Sequence, residues 1–234
     1  MTAKEIHSRL HRFADKQTAK FLQQFFKTEV GQYGEGDIFL GIRVPAVRKL
    51  ANEYKALSTR ETLSLLRSPI HEARLFSLIV FVRSFSKADE GTKSHIYELY
   101  LDNTKYINNW DLVDISAPPI VGAFLMAKSK TPLYRLAKSA SLWERRISII
   151  ATAYFIRHGQ FSETLKIAKL LLADEQDLIH KAVGWMLREV GKRDVESEEK
   201  FLRIHYKRMP RTMLRYAIEK FPETKRRKYM EGKL

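Results

Sequence analysis

The chain contains no cysteine. That single absence removes a disulfide framework, a thiolate zinc site, an iron–sulfur cluster and a cysteine nucleophile. Glycine and proline are scarce, with 10 and 7 among 234 residues. Four of the glycines crowd into GQYGEGDIFLG, between Gly31 and Gly41, which reads as a mobile connection. No stretch reaches the roughly 18 apolar residues needed to span a bilayer. The opening MTAKEIHSRLHRFADKQ has no apolar core of the kind a secretory signal needs. The expectation is a soluble cytoplasmic protein with no membrane partner. Enzyme signatures are also missing. The glycine cluster lacks the Gly-Lys-Ser/Thr of a phosphate-binding loop, the seven histidines show no metal spacing, and no serine sits in a nucleophile elbow. No metal site and no organic cofactor are expected.

What the chain has is positive charge and helical periodicity. It carries 42 Lys plus Arg against 27 Asp plus Glu, a formal net charge of +15. The excess is spread along the chain: +5 over residues 1–100, +4 over 101–188 and +6 over 189–234. Such a distribution suits a polyanion lying along an extended surface, although it also serves plain solubility. Apolar residues recur at three- and four-residue steps, as in Leu75, Leu78, Ile79 and Val82, or Ile147, Ile150, Ala151 and Tyr154. Alternating strands closed by hairpin turns are absent, so the fold class is all-α.

Similar segments, each a polar or basic turn followed by an apolar run, begin near Pro69, Asn108, Ser141, Leu178 and Met209. Their spacing of 31 to 39 residues suits a repeat of two antiparallel helices, in the size range of HEAT-like solenoids. We expect a right-handed α-solenoid with a concave basic face, formed as one domain over residues 1–234 with a basic tail at 225–234. Stacking would place the early residues of each second helix in a row: Arg74, Asp111 with Asp114, Arg145 with Arg146, Lys181 and Arg211. Each of these, taken alone, can equally be an ordinary first-turn charge facing water. Asn108 or Asn109 can cap the helix before Trp110, and Ser141 with Glu144 has capping-box spacing. Pro118 and Pro119 should end a helix, and Gly159 and Gly191 should sit at C-terminal caps.

All three tryptophans lie one turn from a charge. Trp110 and Asp114 are four residues apart and share a helix face, Trp143 and Arg146 are three apart, and Trp185 lies between Lys181 and Arg188. Each indole can be a packing residue whose N–H finds a partner, or part of a site.

Taken together, FLGIRVPAVRKLA (Phe39 to Ala51), N-x-W-D-L-V-D, W-E-x-R and K-A-x-G-W-x-L-R-E are similar to the DNA alkylation repair family. These are the HEAT-like-repeat alkylpurine DNA glycosylases of the AlkD type. The resemblance runs from about Phe21 to Lys220. It implies hydrolysis of the N-glycosidic bond of cationic N3- or N7-alkylated purines in duplex DNA, within base excision repair and without a base-flipping pocket. Carried across by motif, Asp114 is the catalytic carboxylate, Trp110 and Trp185 are the aromatic walls around the lesion, and Arg146 contacts the adjacent backbone. Arg74, Arg145, Lys181, Arg188 and Arg211 form the basic surroundings. The expected partner is double-stranded DNA bound by a monomer. A non-catalytic DNA-structure binder on the same scaffold is the alternative.

Overall fold

The computed structural model describes residues 2–54 and 57–233. It is all-helical. Among the described residues the only extended pairing is an isolated bridge between Ile38 and Ile70. The chain divides into two compact units, Met1–Ser116 and Ala117–Leu234.

In the first unit, α1 (Ala3–Arg12) opens on a capping box in which Thr2 and Glu5 each accept the other's backbone N–H. It buries Ile6 and Leu10. α2 (Lys16–Phe25) is capped by Asp15 and buries none of its residues, leaving Phe21 and Phe25 more than half exposed. The glycine-rich segment leads into α3 (Val44–Glu53), with proline in its first turn. α4 (Thr59–Leu66) packs on α5 (His71–Lys87), a helix buried along most of its length. α6 (Glu90–Asp102) is capped by Asp89, and α7 (Trp110–Ala117) completes the unit.

The expected stop at Pro118 and Pro119 does not occur. Pro118–Gly122 forms a π-helical turn that passes directly into α8 (Ala123–Leu125). Proline has no N–H to give to the preceding turn, so widening the turn keeps the chain helical where the ordinary i→i−4 ladder would be interrupted. The second unit continues with α9 (Thr131–Ala137), α10 (Leu142–Ala151) and α11 (Ala153–Arg157). Then follow α12 (Ser162–Leu170), α13 (Asp177–Gly191) and α14 (Val195–His205). α15 (Arg211–Ala217) and α16 (Glu223–Glu231) close it. α16 takes up the basic tail. Its Tyr229 is buried against Tyr206 and Phe221, so the segment is docked by an aromatic anchor.

All five repeat starts read from the sequence coincide with helices: α5, α7, α10, α13 and α15. The repeat is also written in side-chain contacts. Ser77 on α5 donates to the carbonyl of Thr62 on α4 at 2.7 Å, and Ser148 on α10 donates to Leu133 on α9 at 2.7 Å. Three residues earlier on the same helices, Arg74 and Arg145 each reach back to two carbonyls of the preceding loop. Arg74 binds Ser68 at 3.0 Å and Pro69 at 3.2 Å, while Arg145 binds Ser139 and Ala140 at 2.9 Å each. Each also pairs with an aspartate, Asp37 in one case and Asp174 in the other. The two helix pairs thus match in their Ser and Arg contacts to carbonyls, although the aspartate comes from before the pair in one case and after it in the other.

Glycine roles differ from expectation at one of the two proposed caps. Gly159 has φ +72° and ends α11 as a left-handed cap. Gly191 is the last residue of α13 itself, and a Cβ there would collide with the Glu198 carboxylate of α14. Its smallness serves helix packing. So does that of Gly184, where a Cβ would strike the Met213 carbonyl of α15.

Candidate active site

The site is built around the first turn of α7. Asn109 accepts the Trp110 N–H at 2.8 Å with its side chain and the Val113 N–H at 3.1 Å with its carbonyl, so it caps the helix. One turn apart on that helix, Trp110 and Asp114 both line an open cavity of about 480 Å³. Both are half-buried. The opposite wall is aromatic. Phe26 stacks on Trp110 (5.2 Å between centroids, 19°) and on Phe39 (4.9 Å, 18°), and Phe39 stacks in turn on His71 at 4.3 Å. Phe25 meets the Trp110 ring edge-on at 6.1 Å, and Phe21 lies beyond it.

Behind this wall is a charged network that the sequence did not announce. The His71 ring has Asp37 Oδ2 at 3.0 Å from Nδ1 and Asp111 Oδ2 at 2.9 Å from Nε2. Carboxylates only accept, so both ring nitrogens must donate and the imidazole is cationic. Burial pushes the His71 pKa down, but Asp111 and the bond to Asp37 more than reverse this and raise it to about 9. Asp37 also accepts from Arg74 at 2.5 Å and from the side-chain amides of Asn108 and Asn109 at 3.3 Å each. Burial would raise its pKa, yet His71, Arg74 and Asn109 together hold it below the usual carboxylate range. Two cations and two anions make the cluster neutral. Next to it, the buried Glu72 carboxylate accepts the backbone N–H groups of Leu40, Gly41 and Ile42 at 2.8 to 3.1 Å. The segment expected to be a mobile connection is therefore pinned at both Asp37 and residues 40–42. At Gly41 (φ +86°) a Cβ would also run into the backbone of Asp15 and Ala19.

Asp111 and Asp114, which the sequence alone does not separate, have different surroundings. Both line the cavity, but Asp111 is buried and bonded to His71 and the Leu112 N–H, whereas Asp114 is half-buried. Arg74 was expected to face a nucleic-acid backbone and does not. It is 3% exposed and spent on Asp37 and two loop carbonyls. The cause is the loop preceding α5, whose carbonyls and neighbouring aspartate need a buried cation.

The second unit carries the other named residues. Trp185 is half-buried, and its indole N–H donates to Glu189 at 3.3 Å. Arg146 was also expected at a DNA backbone, but it is 4% exposed and donates to the Leu178 carbonyl at 2.6 Å. Arg145 pairs with Asp174 at 2.6 Å in the arrangement shared with Arg74, and Arg188 pairs with Glu219. Stacked helices leave carbonyls and carboxylates of neighbouring turns near these positions, and the guanidinium forks satisfy them. Lys181 pairs with Asp177 at 2.7 Å on a half-exposed face. Arg211 is exposed and donates to the Met230 carbonyl at 2.6 Å. Among the described residues no group of three or more His, Asp or Glu side chains could hold a metal ion. No helix among them is long and apolar enough to cross a membrane.

A model of the DNA alkylation repair enzyme family matches residues 6–221. The chain belongs to that family. The match runs through both units. A solved structure of a predicted DNA alkylation repair enzyme from Enterococcus faecalis is similar with a TM-score of 0.68 at 14% identity, covering 90% of this chain and 97% of that one. AlkD2 from Streptococcus mutans is similar with a TM-score of 0.55 at 17% identity, covering 89% and 99%. At these identities the likeness is one of fold. No curated protein matches the chain.

Within this member of the family, the cavity also contains residues that sequence reasoning did not single out: Phe26, Phe39, His71, Arg43 and Arg48. Arg43, Arg48 and Phe39 do fall in the FLGIRVPAVRKLA segment. That motif carried the signal, but nothing in its spacing showed that it folds against Trp110.

Proposed function

We propose that the protein is a monofunctional DNA glycosylase that hydrolyses the N-glycosidic bond of cationic N3- or N7-alkylated purines in duplex DNA, as a cytoplasmic monomer acting in base excision repair. One observation carries the reading: a half-buried carboxylate, Asp114, shares an open cavity and a helix face with an indole, Trp110. A purine that already bears a positive charge is a good leaving group and needs no general acid. As it departs, positive charge builds on the deoxyribose. A fixed carboxylate beside C1′ stabilises that charge and orients the attacking water. Tryptophan is the strongest aromatic partner for a cation, at roughly 0.5–2 kcal/mol per contact. That is roughly 2- to 30-fold in rate if 1.4 kcal/mol is a decade, so Asp114 must supply the larger share.

In this reading Trp185 is a second aromatic wall, and Lys181 and Arg211 contribute contacts to the DNA backbone. No metal or organic cofactor takes part. No motif positions a lysine to form a Schiff base, so strand cleavage is not expected.

The test is release of 7-methylguanine from methylated duplex DNA. Wild type should release the base, and Asp114→Asn should retain DNA affinity while losing release. Equal release by the two proteins removes Asp114 from the chemistry. Binding without release by the wild type would favour a non-catalytic DNA-structure binder.

A further inference from the structure

The basic residues first expected on the DNA side are largely consumed inside the protein, which raises the question of which cations are available near the chemistry. Two stand out at the cavity mouth. Arg43 is the N-cap residue of α3, and Arg48 lies further along the same helix. Both line the cavity that holds Trp110 and Asp114, and both are exposed. Neither guanidinium has a hydrogen-bond, ion-pair or ring partner within the described residues. The contrast with Arg74 and Arg146, buried and bonded to carbonyls, is complete.

The charge balance of the cavity gives these two residues a task. The Asp37–His71–Arg74–Asp111 cluster is neutral, and the Glu72 carboxylate is turned toward three backbone amides. The charges left over at the cavity are the Glu72 and Asp114 carboxylates and two arginines. A phosphodiester brought close enough for its sugar to meet Asp114 would be repelled by that carboxylate. Two guanidiniums beside it offset the two carboxylates, Glu72 and Asp114, and remove that repulsion. The planar fork of arginine matches the paired oxygens of a phosphate, and its stem can lie along the apolar wall while the head stays in water.

We infer that Arg43 and Arg48 form a phosphodiester site at the mouth of the cavity and hold the backbone of the strand whose sugar faces Asp114. The inference rests on the glycosylase reading for the identity of that strand. The binding it describes is measurable without catalysis.

The experiment is equilibrium binding of the full-length protein to an undamaged duplex between 50 and 200 mM KCl. Each phosphate contact contributes a slope of about −0.9 in log affinity against log salt. The double variant Arg43→Gln/Arg48→Gln should therefore lose about 12-fold less affinity than wild type across that fourfold salt range. Arg43→Lys/Arg48→Lys should keep most of the wild-type slope, because the charge is retained. A wild-type slope in the glutamine variant overturns the site. So does a lysine variant that loses as much slope as the glutamine variant, since the effect would then come from altered structure. Release of 7-methylguanine by Asp114→Asn is scored separately, so a failed reaction assignment and a failed phosphate site give different results.

Discussion

His71 Nε2 lies 2.9 Å from Asp111 Oδ2, one residue beyond Trp110 on the helix that also carries Asp114. This contact ties α5 to the first turn of α7 at the inner wall of the cavity, where both side chains are buried. The second ring nitrogen is held by Asp37, so the imidazole is clamped between two carboxylates. A clamp of this kind holds in place the helix turn that carries Trp110 and Asp114.

The clamp titrates. His71 is raised from 6.5 to about 9 in the folded protein, the two carboxylates outweighing the burial that would lower it. Its contribution to stability is therefore fully present below pH 6.5 and is lost as pH rises through 9. Denaturant midpoints measured at pH 6 and at pH 9.5 should fall for wild type. His71→Asn, which cannot be charged, should be less stable at pH 6 and should show a smaller fall. Parallel curves for the two proteins would mean that the imidazole is neutral in the native state.

Arg74 gives a sharper contrast between a structural and a binding role. Its guanidinium is buried on Asp37 and the carbonyls of Ser68 and Pro69. Removing one partner of a buried ion pair costs about 3–5 kcal/mol because the other charge is stranded. Arg74→Gln should lower unfolding stability by that order in urea while leaving the salt slope of DNA binding unchanged. A reduced slope at near-normal stability would restore Arg74 to the DNA surface.

In the second unit Glu198 is a buried acid with a raised pKa. Desolvation beside the packing glycine Gly191 raises its carboxyl to about 8, with Glu199 adding to the effect. An acid whose folded pKa lies above its unfolded value favours the native state below the unfolded pKa, near 4.5, and this advantage is lost as pH rises through about 8. Glu198→Gln stays neutral throughout. It should unfold at a higher denaturant concentration than wild type at pH 8.5, and the gap should narrow toward pH 5. A variant less stable than wild type at pH 8.5 would show that the carboxylate makes a net favourable contact with Arg188 or Lys225.

Much of the fold was legible because helix periodicity is local. Capping residues such as Ser141 and Asn109 sit within three or four positions of what they bind, and the starts of α5, α7, α10, α13 and α15 followed from a polar turn leading into an apolar run. What was hidden depends on distant partners. Asp37 and His71 are 34 positions apart with α3 and α4 between them, so no spacing rule joins them. Arg74 and Arg145 look like solvent-facing first-turn charges in one dimension, and only the loop carbonyls of the folded chain show why they turn inward. Gly191 reads as a cap from its place near a helix end, whereas its cause is the Glu198 side chain on the next helix. The pair Trp110 and Asp114 was readable for the same reason as the caps: four residues on one helix share a face, and both line the cavity.

Trp185 is the residue whose role divides the two halves of the chain most clearly. It is half-buried, it sits next to Gly184 where α13 and α15 pack closely, and its indole N–H is held by Glu189. A residue of pure packing and a residue of the lesion wall predict different losses. Packing alone would make Trp185→Ala lose stability, with affinity for DNA and base release falling together. A wall that favours positive charge gives a larger loss in excision than in binding, by up to about 30-fold for a contact of this type. The measurement is the ratio of single-turnover release of 7-methylguanine to affinity for the same duplex, in wild type and in Trp185→Ala. Trp185→Phe, which keeps an aromatic face with a weaker hold on a cation, should fall between them. An unchanged ratio in both variants would reduce Trp185 to the packing of α13.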